Sequence, residues 1–561
     1  MGQINVIVDG QTIEVEEGTP LIEACFKAGK EVPHFCYHSG LTVSGNCRMC
    51  SVKLANAQFP DKAYPMACLV PARYYKDKDG KQLPMEVVTE SAEITKMQKD
   101  IMEFLLINHP LDCPQCDQAG ECVLQNYAYT YGPDRSRFEE QKVIRHTKPL
   151  GPRVAIWGNR CIACDRCARF CKEVPGTGEL SLVNRGDKSV IDIFPGEELA
   201  NPMSLNTVDL CPVGALLDRN FLYTARVWFL DPVETICGGC EKGCNIYADV
   251  FPDDGDVRRQ RPRENQAVNQ WWACDRGRLE YKYPGQANRL KRSRLKGEES
   301  DYLAVVHDAA SALRKLREAG KSNETALVAT AFMTNEELLL AGQICAKLNL
   351  PEDNRYLRRR PKGEAWVAKN GWRIEADRNP NHEGAARIYG VDESCETLEP
   401  LVTDINKGTI KHVIMIGAVP DSAFTDELVK AAGKLTTLIM LDAFDGPLPR
   451  AASHLLASTV WLEKNGTTIS RVRTGGSAAD KPEATPRVQR LRRAAVPPEE
   501  VRDDLETLQR LLAGIAGERP VVTRAGKVFA QLGTRVPELQ GVELKQIGSQ
   551  GLELGMKAVR S

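Results

Sequence analysis

Residues 4–36 read INVIVDGQTIEVEEGTPLIEACFKAGKEVPHFC. INVIVD and QTIEV are short runs rich in β-branched residues on either side of Asp9-Gly10, the signal for two strands around a tight turn. TPLIEACFKAG follows with helix punctuation. Thr19 is expected as N-cap, Pro20 at the first helical position, and Gly29 as the residue that closes the helix. A hairpin, a helix and then a cysteine-bearing loop beginning at Cys36 is the expected opening of the fold.

That cysteine opens a metal-type spacing. Cys36 is followed at ten intervening residues by Cys47, then at two by Cys50, then at seventeen by Cys68. Plant-type [2Fe–2S] ferredoxins use the same order, a leading cysteine, a close pair and a remote fourth, with a shorter first gap. Gly45 precedes the central pair, where backbone has to approach a cluster closely. Together with the strands and helix before it, the pattern is that of a β-grasp ferredoxin domain. Cys25 lies in the helix, outside the spacing, and reads as a packed core residue.

Composition bounds the rest. The 561 residues carry 74 basic and 75 acidic side chains, a net charge of −1, so charge balance gives no nucleic-acid signature. No apolar run reaches the ~18 residues of a membrane span. MGQINVIVDG lacks a basic head followed by an apolar core, so no signal peptide is expected. The anomaly is cysteine: 19 in all, 17 of them before residue 275, with Cys345 and Cys395 alone in the last 287 residues. Disulfide frameworks suit small secreted chains, so clustered cysteines here read as reduced metal ligands.

Three further boxes follow the first. HPLDCPQCDQAGEC sets His109 four residues before Cys113, then Cys116 and Cys122. Alone it suits zinc as well as iron; beside other cluster motifs, a [4Fe–4S] site with one imidazole ligand is the better reading. The third box is Cys161, Cys164, Cys167 and Cys171, followed much later by Cys211 in DLCPVGAL. In two-cluster ferredoxins the fourth cysteine of such a run ligates the other cluster. No second run exists here, so Cys161, Cys164, Cys167 and Cys211 are expected to hold one cubane, with Cys171 a buried bystander. The fourth box is Cys237, Cys240, Cys244 and the remote Cys274, again of [4Fe–4S] type. One [2Fe–2S] and three [4Fe–4S] clusters in series make a wire for single electrons. A zinc-stapled scaffold would not need such a series. No residue is singled out as catalytic.

Between the boxes, residues 92–107 are expected as a helix leading into His109, and residues 139–225 as loop-rich. After about residue 300 the texture changes. Strand-length segments ALVAT, HVIMIGA and TLIMLDA alternate with helical patterns AVVHDAASALRKLREAG and EELLLAGQICAKLNL, which implies α/β layers. KPEATPRVQRLRRAAVPPEE (481–500) reads as a polar surface loop.

CYHSGL, GNCRMCSV, NHPLDCPQCDQAGEC, GNRCIACDRCARFCKEV and DLCPVGAL resemble, in order and spacing, the large iron–sulfur subunit of respiratory complex I (the G-type or 75-kDa subunit of NADH–quinone oxidoreductase). The fourth box is similar to the N-terminal cluster site of molybdopterin oxidoreductases. NRLKRSRLKG (288–297), TNEELLLAGQICAKL (334–348), VIMIGAVPDSAF (413–424) and EKNGTTISRVR (463–473) look like weaker traces of that fold. The resemblance implies a multidomain α/β protein. Its parts would be a [2Fe–2S] domain at 1–85, a His(Cys)3 [4Fe–4S] domain at 86–138, a ferredoxin-type domain at 139–229, a molybdopterin-oxidoreductase-type cluster domain at 230–298, and a truncated α/β domain of that type at 299–561, without molybdopterin. It implies a relay of single electrons from a partner subunit that holds FMN and NADH towards quinone, through the first three clusters, with the fourth off the path. Other hydrophilic-arm subunits would be partners. The location would be the cytoplasmic face of a bacterial inner membrane, with membrane association only through the membrane arm.

Two rival enzymes share the N-terminal boxes. The alpha subunit of an NAD-linked molybdenum formate dehydrogenase would need a fuller pterin-binding body. It would usually have Lys where CDRGR places Arg276, and the two are not interchangeable. An iron-only hydrogenase would need further clustered cysteines. No GxGxxG after a strand is present for a dinucleotide.

Overall fold

The computed structural model describes residues 2–55, 64–76, 80–391, 397–420, 424–473 and 484–555. The chain divides into two compact units, Met1–Phe229 and Leu230–Ser561.

In the first unit β1 (Gln3–Val8) and β2 (Gln11–Glu16) form the expected hairpin, antiparallel from Gln3 opposite Glu16 to Val8 opposite Gln11. Asp9 and Gly10 both have positive φ, 46° and 82°, the primed-turn geometry that matches strand twist. The Asp9 carboxylate accepts from the Thr89 amide at 2.8 Å and its hydroxyl at 2.6 Å. This pins the hairpin tip to the end of a later strand.

The helix α1 (Leu21–Lys27) starts one residue later than the sequence suggests. Its N-cap is Pro20, without a side-chain bond, so Thr19 is not the cap. The reason lies far along the chain. The Leu21 amide donates to the Val70 carbonyl at 2.9 Å and the Ile22 amide to the Ala67 carbonyl at 3.1 Å. Backbone beside Cys68 thus satisfies amides that a threonine hydroxyl would otherwise serve. Gly29 closes the helix as expected, at φ 73°, with Lys30 donating back to the Cys25 carbonyl.

β3 (Lys53–Leu54) and β4 (Met85–Val88) complete a four-stranded sheet in the order β2-β1-β4-β3, with β1 and β4 parallel. Its core packs Val6, Val8, Leu21, Ile22 and Cys25 with Cys50 and Cys68. Cys25 is fully buried, and burial pushes its thiol up to about 12.

The second helix, α2 (Ala92–Leu106), is capped by Ser91, whose hydroxyl accepts from the Ile94 amide. α3 (Val123–Tyr131) follows the second box. The stretch read as loop-rich contains short regular pieces. β5 (Thr147–Pro149), β6 (Val154–Trp157) and β7 (Leu216–Asp218) form a three-stranded sheet, and α4 (Arg166–Glu173) and α5 (Asn206–Leu210) flank it. Strands of three or four residues are too short to show a period in sequence.

The second unit begins with an antiparallel sheet of β8 (Asp231–Ile236), β9 (Asn245–Phe251) and β10 (Asp256–Pro262), followed by α6 (Asp275–Arg278). The α/β alternation read after residue 300 is present. Helices α7 (Tyr302–Glu318) and α8 (Asn335–Lys347) accompany a seven-stranded sheet. Five parallel strands form its body: β11 (Thr325–Thr330), β12 (Arg355–Arg358), β13 (His412–Ile416), β14 (Thr437–Asp442) and β15 (His454–Ala457). They lie in the spatial order β15-β14-β13-β11-β12, with the direction of winding reversing between β11 and β13.

One expectation fails here. Of the segment read as a surface loop, Thr485–Leu491 is a strand, β17, paired antiparallel with β16 (Gly466–Val472) and burying Val488, Gln489 and Leu491. Residues 481–483 of that segment, and Cys395, lie outside the described residues. Cys345 is a buried core residue on α8, 3.9 Å from the Tyr389 hydroxyl.

Candidate metal centres

The four cysteines of the first box converge on one edge of the N-terminal sheet. The thiols of Cys36, Cys47, Cys50 and Cys68 lie close enough to shift one another's protonation, Cys36 and Cys50 downwards. The Cys36 amide points at the Cys47 sulfur at 3.5 Å. Gly45 has φ 67°, and a Cβ there would lie 2.6 Å from the Leu69 side chain, so glycine suits that loop best.

The third box surrounds a cavity. Cys161, Cys164, Cys167 and Cys211 line it with Ile156, Ile162, Ile191, Val213 and Leu216, and Cys171 is not among its lining residues. Burial raises the thiols of Cys161 and Cys211 to about 11 and that of Cys164 to about 12. A thiol held that high releases its proton to solvent only when a strongly cationic partner such as iron binds the sulfur. The Ala163 amide donates to the Cys161 sulfur at 3.3 Å, the kind of contact that stabilises a thiolate. Cys171 is fully buried on α4, its thiol also raised to about 12 by burial.

The second box packs against the end of the third. The Val123 amide donates to the Pro212 carbonyl at 3.1 Å. A Cβ on Gly214 would sit 2.2 Å from the Cys116 sulfur, so the space beside that sulfur exists because residue 214 has no side chain. Cys113 is exposed, Cys116 and Cys122 are buried, and His109 is half-buried. Burial, with help from Arg160 and Lys142, pushes the His109 imidazole down to about 4. It is therefore neutral at ordinary pH, as ligation requires. Arg160, itself buried, donates to Asp112 at 3.0 Å, and Arg226 donates to the carbonyls of Cys116 and Pro114. Sequence reading missed both arginines, because their partners are remote.

One apolar cluster joins these three boxes. Cys36, Cys122 and Cys164 belong to it with Phe35, Met49 and Val213, and Cys47, Cys161 and Cys211 pack at its edge. The first and second boxes also meet directly, since the Phe35 and Tyr127 rings lie 5.3 Å apart.

The fourth box sits in the second unit, where Cys237, Cys240, Cys244 and Cys274 are all buried. Cys237 donates its amide to the Cys244 carbonyl at 2.9 Å, closing the loop between β8 and β9. The Gly239 amide points at the Cys237 sulfur and the Gly277 amide at the Cys274 sulfur, each at 3.4 Å. A Cβ on Gly277 would lie 2.6 Å from the Cys237 sulfur. Arg276 is exposed.

The donor spacing bears on which metal fits. Four thiolates around one zinc, at ~2.3 Å each, bring sulfurs to about 3.8 Å of one another. Among the described residues, the one group of three donor atoms all within 4.8 Å is Glu241, Asp377 and His382. It is already an ion network, since His382 meets Asp377 at 2.7 Å and Arg473 meets Glu241 at 2.7 Å. Four thiols, or three thiols with one imidazole, are donor sets that iron–sulfur clusters take.

Comparison with known families places a description on each box. Residues 2–74 match a 2Fe-2S iron-sulfur cluster binding domain, and residues 98–137 the NADH-ubiquinone oxidoreductase-G iron-sulfur binding region. Residues 151–217 match the ferredoxin-like domain of NADH-quinone oxidoreductase subunit 3, and residues 231–284 a molybdopterin oxidoreductase Fe4S4 domain. The NADH-ubiquinone oxidoreductase 75 kDa subunit of Reclinomonas americana is 38% identical over 351 residues, 62% of this chain and 48% of that protein. The G-type subunit of NADH-quinone oxidoreductase from Rickettsia typhi is 39% identical over 278 residues, 50% of this chain and 39% of that one. The chain thus spans about half the length, or less, of these curated relatives. Among solved structures, a chain of an NAD+-reducing [NiFe]-hydrogenase aligns over 40% of this chain and 90% of its own, at 26% identity and a TM-score of 0.33. Acetylene hydratase from Pelobacter acetylenicus aligns over 57% of this chain and 74% of its own, at 10% identity and a TM-score of 0.33.

Proposed function

We propose that this chain is an electron-relay subunit of an NADH-quinone oxidoreductase, carrying single electrons towards quinone. The observation that carries the reading is the apolar cluster shared by Cys36, Cys122 and Cys164, which sets three cysteine boxes side by side in one unit. The ligand sets are Cys36, Cys47, Cys50 and Cys68 for a [2Fe–2S] cluster, and three sets for [4Fe–4S] clusters. Those are His109 with Cys113, Cys116 and Cys122; Cys161, Cys164, Cys167 and Cys211; and Cys237, Cys240, Cys244 and Cys274. Bound clusters supply one-electron carriers. The chain's own part is to exclude water with Phe35, Met49 and Val213, and to aim amides at the sulfurs of Cys47, Cys161, Cys237 and Cys274. Clusters held by these three boxes would lie on the electron path, side by side in the one apolar surround. The fourth would lie off this path.

NADH gives two electrons together as hydride, so a flavin has to stand between it and single-electron carriers. A partner subunit would supply FMN and the NADH site, and other hydrophilic-arm subunits would lead to quinone. The second unit would be an α/β body of molybdopterin-oxidoreductase type that works without the pterin. Among the described residues no helix is long and apolar enough to cross a membrane. Association with a bacterial inner membrane, on its cytoplasmic face, would come through a membrane arm. The exposed Arg276, in place of the usual lysine, favours this reading over a formate dehydrogenase subunit.

The test is anaerobic iron, sulfide, zinc and molybdenum analysis of the full chain with low-temperature EPR, followed by titration with NADH. Clusters of both types, without zinc or molybdenum, are expected. NADH should bleach them only when a flavin-bearing partner is added. Stoichiometric zinc without sulfide, or rapid reduction by NADH without flavin, overturns the proposal.

A further inference from the structure

Helix α4 (Arg166–Glu173) carries Cys167 of the third box, yet its polar side chains reach into the first. Arg169 donates one guanidinium nitrogen to the Cys36 carbonyl and another to that of Thr42. Arg166 donates to the Tyr37 carbonyl and, at 3.4 Å, to that of Leu210, the residue before Cys211. Glu173 accepts from the Thr42 amide at 2.8 Å and its hydroxyl at 2.5 Å. Asn46, beside Cys47, donates to the Ala163 carbonyl at 3.3 Å. The loop holding the first cluster is thus tied to the helix and loop holding the third.

The two arginines are not equivalent. Arg169 is paired with Asp165, 3.7 Å away on its own helix. Arg166 lines the cavity of the third box. The titratable groups that face it include Cys164 and Cys211 of that box, Cys36 of the first, Arg169, His34 and His38, and Asp165 lines the same cavity. Like that of Arg169, its Nε is buried without a hydrogen-bond partner. A guanidinium keeps its charge at any working pH. With thiolates from two boxes as its anionic neighbours, its field acts on both clusters at once.

We propose that Arg166 is a shared positioning residue. It fixes the approach of the first cluster to the third and, by its charge, favours the reduced state of both. Each cluster gains a negative charge on reduction, and the same cation stabilises both gains. Arg169, neutralised by Asp165, holds the loop without contributing as much charge. This rests on the cluster assignment above, so iron and sulfide content is read first.

The experiment is an EPR-monitored redox titration of the cluster-loaded full chain. Arg166→Gln removes the charge and leaves a single, shorter amide donor. It is expected to shift the midpoints of both the [2Fe–2S] signal and the third-box [4Fe–4S] signal to more negative potential, with iron content unchanged. Arg166→Lys restores a cation and should return both midpoints towards wild type. Lys172→Gln, exposed on the same helix, should shift neither. If Arg166→Gln fails to load its clusters, Arg166→Lys and Arg166→Met are titrated instead, and the lysine variant must hold both midpoints above those of the methionine variant. A shift in one signal alone, or in neither, with clusters present, overturns the proposal. A wild-type chain without iron and sulfide overturns the cluster assignment instead.

Discussion

The Cys122 thiol lies 3.8 Å from the carbonyl oxygen of Pro212, next in sequence to Cys211. The last ligand of the second box and the remote ligand of the third therefore share one turn of backbone. Damage to that turn should reach both centres.

Gly214 gives the sharpest test of this. Alanine there would place a Cβ 2.2 Å from the Cys116 sulfur, a clash that something has to yield to. Gly214→Ala should lose the iron of one cubane and the EPR signal of the histidine-ligated cluster, and broaden that of the third box. Unchanged iron and spectra would show that the sulfur has room to move.

Cys171 and Cys211 separate two ways of completing the third cluster. Cys171→Ser should leave its EPR signal in place, because Cys171 does not line the cavity. Cys211→Ser should remove or convert the signal. The opposite pattern would reassign the fourth ligand.

His109 is neutral at working pH because burial lowers its imidazole to about 4. His109→Cys should keep a [4Fe–4S] cluster and lower its potential, since an anionic ligand replaces a neutral one. His109→Ala should lose the cluster or leave it labile to chelators. An alanine variant with full iron and unaltered spectra would make His109 a packing residue.

Lys464 tests the second unit without any cluster. It is buried between Glu337, at 2.9 Å and 3.1 Å, and Asp504, at 2.6 Å. Removing one member of a buried ionic group leaves its partners uncompensated, a cost of about 3–5 kcal/mol. Lys464→Met should therefore destabilise this unit by that amount, read by circular dichroism during denaturation. Lys464→Met with Glu337→Gln should recover part of the loss. A single variant as stable as the parent would mean that this buried ionic group adds nothing to the stability of the unit.

The N-terminal hairpin was legible because a local signal, alternation around Asp9-Gly10, decides it. The boxes were legible for the same reason, since cysteine spacing is local except at Cys68, Cys211 and Cys274. Thr19 failed as a cap because its role was taken by carbonyls of residues 67 and 70, which no local pattern announces. The strand Thr485–Leu491 was hidden by Pro486, Arg487 and Arg490, polar residues whose partners lie on Gly466–Val472. Arg160, Arg166 and Arg226 escaped notice because each acts on backbone 44 or more residues away.

The packing of Gly214 on Cys116 also sets a constraint on biosynthesis. Translation delivers Cys113, Cys116 and Cys122 well before Cys211 and Gly214, so the second pocket has no wall on that side while it leaves the ribosome. The third pocket is likewise open until Cys211 appears. A nascent chain arrested before Leu210 should capture iron and sulfide at Cys36–Cys68 at most, and the remaining metal should arrive after the turn at Pro212 has closed.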